Sequence, residues 1–252
     1  MITVKRKKFF LNFQDVYFAK DSEKVTIDKR TDIAIFVQAS DKIVGAKEFH
    51  TQIIDLNKSE EELFRDIHEH DRNKINKGIK KKCFTVKIND SPSFEDIKAF
   101  QNFFKVFAEK RGIKDCNIGR INSLIKSNAL VMCSAQDCDG KILCYHVYAV
   151  DEKRARLLYS TSKYIFGNDS KYRNHIGIAN RYLHWCEIKY FKGKGFSVYD
   201  LGGISKDKND DHLMNINRFK KGFGGREIVE YNKYKGISLL GRILVWILRK
   251  NA

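Results

Sequence analysis

A short apolar run, Val198–Leu201, contains the carboxylate of Asp200 and stops at the glycine pair Gly202-Gly203. Such a run predicts a buried strand that ends in a turn. A buried carboxylate must find a partner or shift its pKa, and paired glycines let another group approach the backbone closely. Asp200 can therefore cap the turn, pair with Lys220 or Arg226, or take part in proton transfer. The residues alone leave these alternatives open.

A second glycine pair, Gly224-Gly225, lies among the cations Lys220, Lys221 and Arg226. An ammonium group beside a reacting centre can stabilise a developing oxyanion or hold a phosphate. The alternative for Lys220 is a solvated side chain on a short basic helix. A strand end with glycines, a carboxylate and nearby cations indicates a site, but the pattern names no reaction.

Three short motifs follow one another here: Tyr199-Asp200-Leu201-Gly202-Gly203, Phe219-Lys220 and Phe223-Gly224-Gly225. Together they resemble the Fem family, the aminoacyltransferases that build peptidoglycan cross-bridges, and the wider group of GNAT-fold acyltransferases related to them. Weaker similarity extends back to about Leu56. The resemblance implies an enzyme that transfers an acyl group to an amine. It also implies a mixed, mainly antiparallel α/β sheet with helices on both faces, in a single-domain version of the family.

The resemblance implies roles for individual residues. Lys220 would lie at the acyl-transfer centre, and Asp200 would accept a proton from the attacking amine or hold that amine. Tyr159 would protonate the leaving group, although tyrosines at strand ends also serve as packing residues. The predicted substrate-binding residues are Tyr199, Gly202, Gly203, Phe219, Gly224 and Gly225.

A turn with small residues, Asn174–Ala179, opens an apolar helical pattern that runs from about Gly177 to Lys192. A helix N-terminus offers unpaired N–H groups and a positive dipole to a phosphate. GNAT enzymes hold the pyrophosphate of acyl-CoA there on a Gln/Arg-x-x-Gly-x-Gly/Ala motif, which this turn resembles, with Asn174 at the first position. The alternative is a packing feature. The predicted cofactor-binding residues are Arg173, Asn174, Ile176, Gly177, Ile178 and Ala179.

The donor and the acceptor are also implied by the resemblance. Acyl-CoA is the expected donor, because one domain offers little surface for tRNA, and aminoacyl-tRNA is the alternative. The expected acceptor is an amine on a nucleotide- or lipid-linked precursor of the cell envelope, either an amino sugar or a peptide. No metal is expected. The alternative outside enzymes is a non-catalytic module that binds polyanions or membranes.

The composition restricts the partners and the location. The chain has 252 residues and a net charge of +17, which favours anionic partners, although a solvated, lysine-rich surface is the alternative. The six cysteines form no CxxC pair, and Cys133, Cys138 and Cys144, which lie in apolar strand-like runs, are predicted to be small buried residues in a reducing compartment. The N-terminal apolar stretch is too short and interrupted for a signal peptide, and no run is long enough for a transmembrane helix. A cytoplasmic location is therefore expected.

The hydrophobic pattern predicts a strand-containing portion at 1–55, packed on the domain that follows, and a C-terminal apolar and basic helix at 236–252. The resemblance implies that residues 56–235 form a GNAT/Fem-like acyltransferase domain. Helices are predicted after Ser59, from Ser91-Pro92 to Gly112, and at 120–126, 177–192 and 212–221. Strands are predicted at 33–37, 84–88, 129–135, 142–150, 156–160, 196–201 and 226–231. From residue 84 onward, the order of these elements is that of the GNAT fold.

The C-terminal segment Ile237–Leu248 is dominated by apolar residues and contains Trp246. At roughly 18 Å it is too short to span a bilayer as a helix. Basic residues flank or interrupt it, namely Lys235, Arg242, Arg249 and Lys250. This combination fits an interfacial helix in peripheral contact with an anionic membrane, and it also fits a helix packed on the domain or in a dimer interface.

Overall fold

The computed structural model describes residues 1–167 and 169–250, with the side chains of Arg249 and Lys250 outside that description. The chain forms two compact units that are discontinuous in sequence. The first unit is Met1–Thr51, Gly119–Ala129 and Glu227–Ala252, and the second is Gln52–Ile118 and Leu130–Arg226. The boundaries predicted from the sequence instead divide the chain into consecutive segments.

The elements of the described residues follow in chain order. The strands are β1 (Ile2–Lys8), β2 (Leu11–Tyr17), β3 (Ile33–Ala39), β4 (Lys47–Asp55), β5 (Thr85–Asn89), β6 (Leu130–Gln136), β7 (Ile142–Val150), β8 (Arg154–Ser162), β9 (Val198–Gly203) and β10 (Arg226–Gly236). The helices are α1 (Glu60–Asp66), α2 (Glu69–Lys81), α3 (Phe94–Arg111), α4 (Ile118–Lys126), α5 (Ser170–Gly193), α6 (Asp211–Lys221) and α7 (Leu239–Lys250). A single 3₁₀ turn, Lys163–Phe166, connects β8 to α5.

In the first unit, β1 and β2 form an antiparallel hairpin, β2 pairs in parallel with β3, and β3 pairs antiparallel with β10. A small apolar core includes Val16, Ala34 and Phe36. The buried carboxylate of Asp15 lies 3.0 Å from Arg6 Nε and 3.2 Å from Arg120 Nε. The two arginines therefore supply the partners that a buried charge requires.

In the second unit, β5, β6, β7 and β8 are antiparallel neighbours in sequence order, and β9 pairs in parallel with β8. Successive side chains of a strand point to opposite faces. On β7, Tyr145 packs against Phe100 and Phe103 of α3, whereas Tyr148 bonds to Glu187 of α5. The two helices therefore cover opposite faces of the sheet. The predicted fold class, a mixed and mainly antiparallel sheet with helices on both faces, is confirmed.

Several boundaries differ from those predicted, for local reasons. The pattern after Ser59 divides into α1 and α2, because the chain is extended at Ile67 and His68 caps a new helix. Helix α3 begins at Phe94 and not at Pro92, because the Ser93 hydroxyl and the Asp96 carboxylate form a capping box. Strands β1, β2 and β4 were not predicted, since their alternating polar residues carry a weaker signal than a continuous apolar run.

The described part of the chain contains no helix that is both long and apolar enough to cross a lipid bilayer.

Candidate functional site

Strands β8 and β9 part at their carboxyl ends. Their pairing covers three positions and ends at Arg156 and Asp200, although β8 continues to Ser162 and β9 to Gly203. The register between β7 and β8 shifts just beyond this point, where Val147 faces Tyr159 and Tyr148 faces Leu157. Such a bulge bends a strand, and ligands bind where parallel strands diverge at their carboxyl ends. The opening between β8 and β9 is therefore the candidate site.

Gly202 forms one wall of this opening in a conformation that requires glycine. Its φ is +78°, and a Cβ atom there would lie 3.1 Å from the Leu157 carbonyl oxygen of β8 and 3.8 Å from Lys220 Nζ. Its N–H donates a 2.8 Å hydrogen bond to Asp200 Oδ1. The glycine thus holds β9 close to β8 where the two strands part.

Lys220 reaches the same place from the last turn of α6. Its Nζ donates a 2.6 Å hydrogen bond to the Gly203 carbonyl oxygen. Burial lowers the pKa of Lys220 to about 8, with a further lowering by the charge of Arg156 and an opposing effect of Asp200. The structure thus brings Lys220, Gly202 and Gly203 together.

Asp200 is fully buried, and its carboxylate has structural partners. Oδ2 lies 2.7 Å from Arg154 Nη2 and 3.1 Å from Arg154 Nε, and Oδ1 accepts the Gly202 N–H. Of the alternatives left open by the sequence, turn capping is therefore observed. The carboxylate also pairs with Arg154 of β8, which lies 46 positions away and is therefore not indicated by the local sequence. This arrangement suits a group that fixes the strand end better than a general base.

Tyr159 lies on β8, three positions beyond Arg156, the last residue of β8 that pairs with β9. Its hydroxyl oxygen accepts the Asn117 N–H at 2.9 Å, and its ring packs against Phe100 and Phe104 of α3. The ring is half-buried. Tyr159 thus combines the packing role with a hydroxyl whose position is fixed, and it remains a candidate proton donor.

Tyr199, which is predicted to contact substrate, has a fully buried side chain. Its hydroxyl lies 2.7 Å from Tyr148 Oη, 2.6 Å from His184 Nδ1 and 3.0 Å from Glu187 Oε2. Strand alternation places Tyr199 and its neighbour Asp200 on opposite faces of β9. Tyr199 therefore belongs to the core between β7, β9 and α5.

That core holds a buried polar cluster. His146 Nδ1 lies 2.9 Å from both Glu187 carboxylate oxygens, and its Nε2 lies 2.9 Å from Asn180 Oδ1. Nearby histidines hold the pKa of Glu187 well below its usual range, against the effect of burial. Burial, together with the charge of His146, lowers the pKa of His184 to about 4. His146 is therefore a hydrogen-bonded histidine of the core.

Potential metal ligands also occur in this cluster. One donor atom each from His146, His184 and Glu187 lies within 4.8 Å of the others. Hydrogen bonds within the cluster already engage both ring nitrogens of His146, the carboxylate of Glu187 and His184 Nδ1. The arrangement is that of a hydrogen-bonded network in a packed core.

Phe219 and the second glycine pair have packing roles. The Phe219 ring contacts His184 and Phe223 and lies 4.9 Å from the Arg181 guanidinium carbon. A Cβ atom on Gly225 would collide with the Ile53 carbonyl, and one on Gly224 would lie 2.7 Å from the Asp66 carbonyl oxygen. The backbone could not approach so closely with larger residues.

The same glycines line a pocket of about 340 Å³ on the second unit. Its other lining residues are Ile53, Asp55, Lys58, Asp66 and Arg226. Lys58 and Asp66 form a 2.7 Å ion pair beside it. A role of Gly224 and Gly225 in substrate binding therefore remains a prediction.

The predicted helix-opening turn is wrong in position. Helix α5 begins at Ser170, so Asn174–Ala179 lies inside the helix, where backbone N–H groups are used in helical hydrogen bonds. Ile176, Ile178 and Ala179 are buried, and Arg173 Nη1 donates to the Gly167 carbonyl. These residues therefore cannot supply the free N–H groups on which the predicted pyrophosphate site depends.

Helix α5 is capped at its N-terminus by the carboxylate of Asp169. The Asp169 carboxylate accepts the N–H groups of Lys171 and Tyr172 at 3.0 and 3.3 Å. A side-chain carboxylate in this position neutralises the helix dipole and occupies donors that a phosphate would need. In the sequence, Asp169 followed by Ser170 indicates this helix start. The small residues Gly177 and Ala179 favour a later start, which is the one predicted.

The chain that forms the opening beside Lys220 shares its fold with several solved structures. Among solved structures, the chain is similar to FemX, with a TM-score of 0.62 and 12% identity, over 98% of this chain and 86% of that one. It is also similar to the C-terminal domain of a protein described as a lysylphosphatidylglycerol synthetase from Agrobacterium fabrum, with a TM-score of 0.55 and 12% identity, over 92% and 80% of the two chains. A third similar structure is L-PGS from Bacillus licheniformis, with a TM-score of 0.53 and 14% identity, over 85% and 71%. Neither a protein-family model nor a curated protein matches the sequence significantly. The likeness is therefore one of fold.

Proposed function

We propose that this protein is an acyltransferase that moves an aminoacyl group from an ester donor to an amine, in the opening between β8 and β9. The observation that carries the proposal is the position of Lys220, whose ammonium group lies at the end of β9, beside the point where the strands part. A cation there can stabilise negative charge that develops on an acyl carbonyl. The fold shared with FemX supports the same class of reaction.

In the proposed reaction, the amine attacks the carbonyl carbon and forms the C–N bond. The tetrahedral oxyanion interacts with the Lys220 ammonium, and the C–O bond to the donor then breaks. Tyr159 gives its hydroxyl proton to the leaving oxygen and takes up the proton that the attacking amine loses, so that the tyrosine is regenerated. Asp200 positions Gly202 and Arg154 and does not act as the base. Binding both substrates in one orientation supplies much of the acceleration.

The start of α5 bears on the choice of donor. Because Asp169 holds the N–H groups of Lys171 and Tyr172, a pyrophosphate would have to displace a carboxylate to bind there. This favours aminoacyl-tRNA over acyl-CoA, the donor first expected from the sequence. The net charge of +17 suits a tRNA partner. Acyl-CoA remains the rival donor.

The proposed acceptor is an amine on a precursor of the cell envelope, either nucleotide- or lipid-linked. Its support is the likeness to FemX and to lysylphosphatidylglycerol synthetases, together with the basic charge of the chain. Activated tRNA and nucleotide-linked precursors both occur in the cytoplasm, where the reaction would take place.

Two parallel measurements test the proposal. The first follows the transfer of radiolabelled amino acid from a mixture of aminoacyl-tRNAs to amine acceptors, with Lys220→Met as the test variant and the adjacent exposed Lys221→Met as the control. The second measures the binding of CoA and short acyl-CoAs by calorimetry. Transfer that is lost only in Lys220→Met supports the proposal. Binding of CoA or acyl-CoA, without transfer from aminoacyl-tRNA, would identify acyl-CoA as the donor in place of aminoacyl-tRNA.

A non-catalytic module is the remaining alternative. It predicts salt-dependent binding to any polyanion and no turnover with either donor. Equal loss of polyanion binding in the Lys220 and Lys221 variants, with no transfer from aminoacyl-tRNA and no binding of acyl-CoA, would favour it and overturn the proposed reaction.

A further inference from the structure

Two segments of the first unit are basic and contain no acidic residue. Residues 1–14 have four lysines and arginines, and residues 231–252 have five. In the described part, the side chains of Lys7, Lys8, Lys235 and Arg242 are exposed. A local concentration of one sign of charge attracts an anionic surface.

The same segments expose large apolar side chains. At the turn between β1 and β2, Phe9 is 83% exposed and Phe10 is 70% exposed. In α7, Gly241 and Val245 face the protein and are buried. The opposite side of α7 presents Leu239, Leu240, Ile243, Trp246 and Ile247, which are between 41% and 76% exposed. A surface helix normally turns its polar side outward, so this arrangement indicates a surface with a partner.

Asp32 places the hairpin turn and α7 at one end of the sheet of the first unit. Its carboxylate accepts the Asn12 N–H at 2.8 Å and the Ser238 hydroxyl at 2.7 Å, and its carbonyl accepts the Ile237 N–H at 2.8 Å. A Cβ atom on Gly241 would collide with that carbonyl, so the glycine allows α7 to pack closely. The apolar residues of the turn and the first turn of α7 therefore lie near each other.

We propose that this apolar-basic end, formed by Phe9, Phe10 and the exposed face of α7 with the surrounding lysines and arginines, binds to the surface of an anionic lipid bilayer. The apolar side chains would enter the boundary between headgroups and acyl chains, and the cations would contact headgroup phosphates. Trp246 has the amphipathic ring that favours this boundary. The inference does not depend on the transfer reaction.

The charge argues against a second copy of the chain as the occupant. A two-fold symmetric contact through this end would bring the basic segments 1–14 and 231–252 of two copies against each other, and their like charges would repel. An anionic bilayer neutralises those charges while it covers the apolar side chains. The lipid surface is therefore the occupant that both features fit.

Flotation of the full chain with vesicles tests the proposal. Binding should be strong with vesicles of phosphatidylcholine and phosphatidylglycerol, and weak with phosphatidylcholine alone. The double variant Ile243→Glu and Ile247→Glu should bind roughly a hundredfold more weakly, because two apolar side chains no longer leave water. Lys7→Gln with Lys8→Gln should bind roughly thirtyfold more weakly. The control, Phe94→Glu on α3 of the second unit, replaces a phenylalanine that is 73% exposed and should bind normally.

Trp246 fluorescence gives a second readout. In a Trp185→Phe background the emission reports Trp246 alone, and it should shift to shorter wavelength when anionic vesicles are added. Equal binding to both kinds of vesicle, or normal binding by folded double variants, would overturn the proposal. A concentration-dependent dimer that shields Trp246 in the absence of lipid would also overturn it, in favour of the second copy.

Discussion

Lys220 owes both its position and its acidity to its neighbours. The Gly203 carbonyl fixes the ammonium group at the end of β9, and burial lowers the pKa of the lysine to about 8. At neutral pH the side chain is therefore still mainly charged, so it can stabilise an oxyanion. Above that pKa it loses its proton and with it the proposed electrostatic effect.

The first prediction concerns this titration. The transfer rate should fall as pH rises through about 8, because the lysine becomes neutral. Lys220→Arg retains a cation to much higher pH and should remove this alkaline fall, whereas Lys220→Met should lose on the order of a hundredfold or more in kcat. The measurement is a pH profile of kcat for the three proteins. An unchanged alkaline fall in the arginine variant would assign it to another group.

The second prediction concerns His184 in the buried cluster. Its pKa is lowered from 6.5 to about 4, so the folded protein binds this proton more weakly than the unfolded chain does. The resulting stability is fully present above pH 6.5 and is lost as pH falls towards 4, with a total on the order of 3 kcal/mol. Glu187, whose pKa is also lowered, acts in the same direction at still lower pH.

The test compares the free energy of unfolding of the wild type and His184→Asn by urea titration between pH 7 and pH 4.5. The variant should be less stable at pH 7 but should show a smaller loss on acidification. His70→Asn, at an exposed histidine of α2, is the control and should follow the wild type. Parallel curves for His184→Asn and the wild type would show that His184 does not titrate in this way.

At the scale of elements, the sequence predicts features that depend on adjacent residues, but it does not predict contacts between distant segments. The helix start after Ser59 and the helix end at Gly112 depend on adjacent residues, and both occur as predicted. The partner of Asp200 depends on the pairing of β8 with β9, which the sequence does not specify. The observed start of α5 differs from the predicted one because small residues inside a buried helix face resemble those of a phosphate-binding turn.

The third prediction concerns Gly202, which holds the opening between β8 and β9. Gly202→Ala forces an L-residue into a φ of +78° and places a Cβ atom 3.1 Å from the Leu157 carbonyl oxygen. The expected result is at least a tenfold lower kcat and a stability cost that exceeds the roughly 1–2 kcal/mol of backbone strain alone. Gly195→Ala is the matched control, because its φ is +82° but its surroundings are open. If both variants lost only stability, and to the same extent, the opening would not be the site of transfer.

At the scale of the whole molecule, three motifs were enough to predict the fold class but not the two-unit organisation. The first unit joins both ends of the chain to an internal segment, residues 119–129, and such a partition exists only after folding. The buried cluster likewise joins β7, β9 and α5, and no spacing in the sequence connects His146 with Glu187. Residues that interact through local geometry are predictable, whereas those that meet through topology are not.

The net charge of +17 has a consequence for any assay of the whole molecule. Because the charge is a property of the entire surface, the protein should bind many polyanions, and affinity alone cannot identify the donor. The fourth prediction separates binding of tRNA through the overall charge from catalysis at the transfer centre. Raising the salt concentration should increase the KM for aminoacyl-tRNA steeply, by roughly a thousandfold between 50 and 200 mM if about six phosphates are contacted, while kcat changes little.

Lys220→Met should show the opposite behaviour, since its kcat should be low at every salt concentration while the dependence of KM on salt remains close to that of the wild type. This follows because one cation contributes little to the charge of the whole surface but occupies the proposed transfer centre. Steady-state kinetics of both proteins over a salt series makes the comparison. If kcat and KM of the variant changed together with salt, and in proportion to the wild type, Lys220 would be one phosphate contact among many, and the polyanion-binding module would be the better description.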